Sequence, residues 1–158
     1  MEPSYRIITI PIARNAPAWV RDEVGPTLAV PAGLIGREYV ASDEAELIRD
    51  APAVLAFGQV GLEGRIGVNV ATGEIVHAPA TDSADLNPVN STLKQFCECV
   101  ESVIQRYPFD GAPSADMDEV AEELREELSR IDVVAAAHNG FWETFADDVA
   151  MGDYLSET

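Results

Sequence analysis

The sequence predicts an α+β fold in which a central, mainly antiparallel sheet is flanked by helices. Three observations predict it. Ile66, Val68 and Val70 alternate with Gly67 and Asn69, and after a four-residue reversal Ile75-Val76-His77-Ala78 returns; this is the pattern of a hairpin with one buried face. Two later segments, ending at Tyr107 and Ile131, place apolar residues at three- and four-residue steps, as amphipathic helices do. At 158 residues and 47% hydrophobic content, the chain can bury one ordinary core. One domain over residues 1–158 is therefore expected, without repeat or linker.

Tyr5–Ile12 alternates loosely and reads as a first strand. Ala16–Gly25 reads as a short helix, with Pro17 in its first turn and Gly25 as its stop. Pro26, Pro31 and Gly33 predict an irregular passage, and Leu34–Val40 carries an ambiguous strand signal. Ser42-Asp43-Glu44-Ala45-Glu46-Leu47 has the look of a short helix that Ser42 can cap. Ala53–Val60 is a strand candidate, and glycine then recurs at every third position as Gly58, Gly61, Gly64 and Gly67. A phosphate loop would lead into a helix and usually supply a lysine. Here no lysine is present, Glu63 lies inside the loop and a strand follows, so the glycines serve turns and bulges.

Thr72-Gly73 supplies the residue tolerant of positive φ where the hairpin reverses, and Pro79 ends the return strand. Residues 80–89 read as a polar loop. Asn90, Ser91 and Thr92 can each cap the next helix, and Thr92 with Gln95 spells a capping box. That helix carries the stripe Leu93, Phe96, Val100, Val103, Ile104 and Tyr107, and Pro108 closes it. Pro113-Ser114-Ala115-Asp116 opens the second long helix, with Met117, Val120, Leu124, Leu128 and Ile131 as its stripe. Its opposite face holds Asp118, Glu119, Glu122 and Glu126, with Glu123 and Glu127 on the flank; Arg130 is spaced to pair with Glu126. A last helix spans Phe141–Ala150, with Trp142, Phe145 and Val149 turned inward.

The chemistry that a small enzyme needs is missing from the pattern. His77 and His138 have no Cys, His or carboxylate neighbour at metal-ligand spacing, and no serine stands in a nucleophile elbow. Cys97 and Cys99 lie about 200° apart on a helix, so they read as small, partly buried apolar residues rather than a redox or zinc pair. Most carboxylates occupy surface helix positions, where nothing raises a pKa for acid/base work. No catalytic residue, cofactor or metal site is therefore expected. No apolar run approaches the roughly 20 residues of a membrane span. The N-terminus lacks the basic and long apolar regions of a secretion signal, which predicts a cytoplasmic protein.

Net charge is −18 and unevenly placed: residues 1–80 hold 6 basic and 10 acidic side chains, residues 81–158 hold 4 and 18. Such a field repels nucleic acid and anionic membranes and attracts basic partners. It also serves solubility, or reflects a generally acidic proteome.

The joints of the chain carry a resemblance. Gly67-Val68-Asn69-Val70-Ala71-Thr72-Gly73-Glu74-Ile75-Val76, then Val89-Asn90-Ser91-Thr92-Leu93 leading into Phe96, and the closing Ile131-Asp132 and Phe141-Trp142 resemble the SUKH superfamily (the SMI1/KNR4-like fold), within it the SUKH-4 type of bacterial immunity protein. The match covers roughly residues 53–149. The resemblance implies an antidote that binds and neutralises a cognate polymorphic toxin, often a nuclease or nucleic-acid deaminase, by stoichiometric protein–protein inhibition. A toxin of that kind needs a basic surface for its substrate, so Asp118, Glu119, Glu122, Glu123 and Glu126 are the candidate partner-binding residues. Two rival readings are a regulatory or scaffolding module of the same fold, and a small ligand-binding protein or enzyme whose site is assembled from distant residues.

Overall fold

A computed structural model describes residues 4–35, 38–79, 85–107, 109, 116–137 and 140–152. The elements run β1 (Ile7–Pro11), α1 (Ala18–Val24), β2 (Thr27–Pro31), β3 (Val40–Asp50), β4 (Ala53–Val60), β5 (Gly64–Asn69), β6 (Ile75–Ala78), β7 (Asn87–Asn90), α2 (Leu93–Arg106), α3 (Met117–Ile131), a 3-10 turn (Val133–Ala136) and α4 (Phe141–Ala150). Strands β3 to β7 form a five-stranded antiparallel meander in chain order, and β1 and β2 pair separately as an antiparallel ribbon. The α+β architecture with its antiparallel sheet is the one the sequence predicts.

The expected hairpin is β5–β6, with Val68 opposite Ile75 and Gly67 opposite Val76. Gly73 takes φ +82 at its reversal, a region where a side chain is strained. Four local readings are corrected. Ser42–Leu47 is not helical but lies within β3, paired to β4 through two register shifts. Those shifts break the period-two pattern, and the acidic run mimics a helix start. The passage between Pro26 and Gly33 contains β2, fixed by pairing with β1 from Ile7↔Pro31 to Pro11↔Thr27; conversely, the Leu34–Val40 signal yields strand only from Val40 onward. Within the expected polar loop, Asn87–Asn90 is the edge strand β7, where Pro88 is tolerated.

The ribbon runs beside β3. Ala13 N–H donates to Ala45 O at 2.7 Å and Ala41 N–H to Ala32 O at 3.0 Å, so part of the sheet's otherwise open edge is covered. Leu55, Phe57, Ile66, Ile75 and Val89 of the sheet are fully buried in one cluster with Phe96, Val100 and Val103 of α2 and Trp142 and Phe145 of α4. Tyr39 seals the ribbon side: its ring meets Phe57 at 6.1 Å and Phe96 at 5.2 Å edge-on, and its hydroxyl donates to Pro31 O at 2.7 Å. This donor partner is what permits a buried tyrosine.

Gly58 has a packing reason to be glycine. A Cβ there would lie 2.3 Å from Tyr39 Cε1 and 3.0 Å from Val40 O. Gly58→Ala is therefore expected to cost about 1–3 kcal/mol through overpacking, seen as a lower urea midpoint with unchanged slope. An unchanged midpoint would mean that the Tyr39 ring moves aside without loss.

Candidate functional site

Helix α3 forms because its ends and its stripe agree. Asp116 Oδ1 accepts from Asp118 N–H at 2.9 Å, and Asp118 and Glu119 stand in the first turn, where they suit the helix dipole. Ala121, Leu124 and Leu128 are buried, with Met117, Val120 and Ile131 half-buried beside them. The 3.6-residue period then turns Asp118, Glu119, Glu122, Glu123 and Glu126 outward, and all five are exposed. The structure thus brings the sequence-predicted residues together on one helix surface.

It also separates them by partner. Arg125 donates to Glu122 Oε2 at 3.2 Å and to Asp147 Oδ1 at 2.5 Å, tying α3 to α4. Arg130 pairs with Glu127 rather than the expected Glu126. Glu127 lies on the flank facing α2, where Arg106 also reaches it at 3.5 Å, and the Arg130 hydrogen bond holds its carboxyl below the usual range. Exposed pairs of this kind add little stability, but they occupy cations. Arg106, Arg125 and Arg130 are three of the four basic residues after position 80. Asp118, Glu119, Glu123 and Glu126 make no ion pair among the described residues.

Beside this face runs an open groove of about 490 Å³, lined by Glu122, Arg125, Glu126, Ser129, Arg130 and Ala136. A smaller cavity of about 50 Å³ lies where Arg125 and Ala136 meet Leu128, Ala135, Trp142 and Glu143. The 3-10 turn was not legible in the sequence. It presents Val133, 79% exposed, and Ala136, also exposed, while Ala135 is buried. A second cleft of about 210 Å³ includes His77, Glu38, Asn87, Thr144, Phe141 and Phe145. Burial pushes His77 below its ordinary value. His138 lies outside the described residues. Among the described residues no group of three or more His, Cys, Asp or Glu is placed to hold a metal.

What holds the α3 face in position is a buried polar cluster. Trp142 Nε1 donates to Asn90 Oδ1 at 2.8 Å, and Asn90 Nδ2 donates to Asp132 Oδ2 at 3.0 Å. Asp132 also accepts from Ser91 N–H at 2.7 Å, Ser91 Oγ at 2.8 Å and Val134 N–H at 3.2 Å. Asn90 and Ser91 are therefore not helix caps. Thr92 is the cap: Gln95 N–H donates to its Oγ1 at 3.2 Å, and the Thr92 hydroxyl donates to Gln95 Oε1 at 3.0 Å. Gln95 Nε2 also donates to Ile131 O at 3.2 Å. Cys99 is buried beside Asn90, and burial pushes its thiol up to about 12. Cys97 is half-buried, so the two cysteines have separate surroundings.

The residues of this cluster come from the Asn90-Ser91, Ile131-Asp132 and Phe141-Trp142 pieces, and they join a meander sheet to an outward acidic helix in a small α+β protein. Residues 17–148, from the edge of α1 to near the end of α4, match the SUKH-4 immunity protein family, and the chain belongs to that family. Comparison with curated proteins and with solved structures gave no match. Membership supports a role in immunity to a toxin. No helix among the described residues is long and apolar enough to cross a membrane.

Burial acts to raise the Asp132 carboxyl, but hydrogen bonds from Ser91, Asn90 and Val134 outweigh it and leave the group below its ordinary 3.8. The folded state thus binds this proton less readily than the unfolded chain. The resulting stability is present above pH 3.8 and lost as pH falls through the lower folded value. Asp132→Asn is expected to destabilise the protein by about 2–4 kcal/mol near neutrality, because an amide nitrogen replaces an acceptor. Denaturant melts across pH should show the gap between the two proteins narrowing below that value.

Proposed function

We propose that the chain neutralises a cognate polymorphic toxin by binding it stoichiometrically, and that the toxin acts on nucleic acid as a nuclease or deaminase. In this reading the protein works in the cytoplasm, needs no cofactor or metal, performs no catalysis and contacts neither nucleic acid nor membrane directly. Family membership over residues 17–148 supports the immunity role. The observation that carries the choice of toxin is the set of exposed carboxylates on α3, four of them without an ion pair among the described residues.

A protein that grips a polyanion carries a basic surface. The α3 face, with Asp118, Glu119, Glu122, Glu123 and Glu126, meets that surface and covers what the substrate would use. Complementary charge chiefly raises the rate of encounter. It acts over about 8–10 Å at moderate ionic strength.

If a toxin-like protein is encoded beside this gene, co-expression of the chain with it is expected to restore growth, and equal lethality with and without the chain would end the proposal. Glu122→Lys with Glu126→Lys is expected to slow association by about tenfold or more at low salt, with the difference shrinking as salt rises. An unchanged association rate in stopped-flow mixing would move the interface away from α3.

A further inference from the structure

Affinity requires more than charge. Interfaces draw most of their binding energy from a few desolvated, well-packed side chains, with charged residues at the rim. Among the described residues, five large apolar side chains are exposed: Ile7, Trp19, Leu62, Val133 and Met151. Scattered exposures are ordinary on a soluble surface, so position must discriminate among them. Leu62 is fully exposed at the β4–β5 turn between Gly61 and Glu63. Val133 differs in three ways.

Val133 is followed three residues later by Ala136, and residues at this spacing eclipse one another on a 3-10 helix. Both are exposed, so they form one short apolar strip, and Ala136 lines the α3 groove. The strip is also fixed in place. Asp132 accepts from Val134 N–H through Oδ1 and from Ala135 N–H through its carbonyl at 3.0 Å, while Ala137 N–H donates to Val134 O at 3.0 Å. A β-branched side chain on a pinned backbone has little freedom left to lose on binding.

The surroundings select the occupant. The two groove arginines are held by carboxylates, Arg125 by Glu122 and Asp147 and Arg130 by Glu127. Glu126 in the groove, with Asp118, Glu119 and Glu123 further along α3, therefore sets the sign of the field. A second copy of this chain would bring the same acidic face against itself, which like charge opposes.

We infer that the Val133–Ala136 strip is the apolar anchor of the partner interface, and that it receives a protein segment carrying an apolar side chain flanked by lysine or arginine. The inference rests on the proposed binding function and names the point of contact within it. The anchor governs how slowly the complex dissociates, whereas the α3 acids govern how fast it forms.

The probe is the inactivated form of whichever toxin-like protein the co-expression experiment identifies as the partner, titrated against the full chain by surface plasmon resonance. Val133→Ser with Ala136→Ser is expected to raise the dissociation rate about tenfold or more and leave the association rate unchanged. Leu62→Ser should alter neither. Unchanged thermal melts would show that the variants fold, as surface positions predict. A photo-crosslinker at position 133 should capture a segment containing Lys or Arg. Binding that ignores the double substitution, or a crosslink to an acidic or uncharged segment, overturns the anchor and leaves the immunity reading standing. Failure of the unaltered chain to bind the toxin overturns both.

Discussion

A buried carboxylate that meets no cation among the described residues ties this structure together. Asp132 sits where α3 ends and the 3-10 turn begins, and it accepts from Ser91, Asn90 and Val134. A charge in the interior is costly unless its lone pairs are met, and here they are met by donors from β7, the β7–α2 joint and the turn. Asn90 passes the constraint on to the Trp142 indole. The Trp142 ring then meets Phe141 at 4.9 Å and Phe145 at 6.1 Å. One side chain thereby fixes the sheet edge, the end of α3 and the start of α4 relative to each other. Displacing it would unseat the acidic face and the exposed strip together.

The charge of the second half gains meaning from this framework. Carboxylates in the first turn of α3 suit the helix dipole, and Glu122, Glu127 and Asp147 are engaged with arginines. Once these are set aside, a one-sided acidic surface remains that no local interaction requires. A rigid apolar strip beside it supplies what a purely electrostatic surface lacks. In the proposed function, the α3 acids would speed encounter with a basic partner and the strip would slow its release.

Much of the fold was legible because its signals are local. The β5–β6 hairpin follows from alternation around Thr72-Gly73, and α2, α3 and α4 follow from apolar stripes that the structure buries. Ser42–Leu47 misled because bulges against β4 disturb its alternation, while its acidic residues imitate a helix start. Strands β2 and β7 were invisible since prolines at their ends or on an edge are tolerated only in a paired context. The five α3 acids were legible as a face, but which of them carry arginine partners was not.

By itself, the sequence determined the α+β class, the amphipathic helices, the acidic second half and the pieces that place the chain in its family. Each depends on residues within a few positions of one another, or on composition. Only the tertiary structure decided that Asn90 and Asp132 form a buried cluster, that Arg130 chooses Glu127, and that Val133 stands exposed three residues before Ala136, which lines the α3 groove. Those outcomes depend on contacts such as Asn90 with Asp132, 42 residues apart, and Trp142 with Asn90, 52 apart. Periodicity carries no information about such pairs, because which polar group meets which is set by how the packed elements converge.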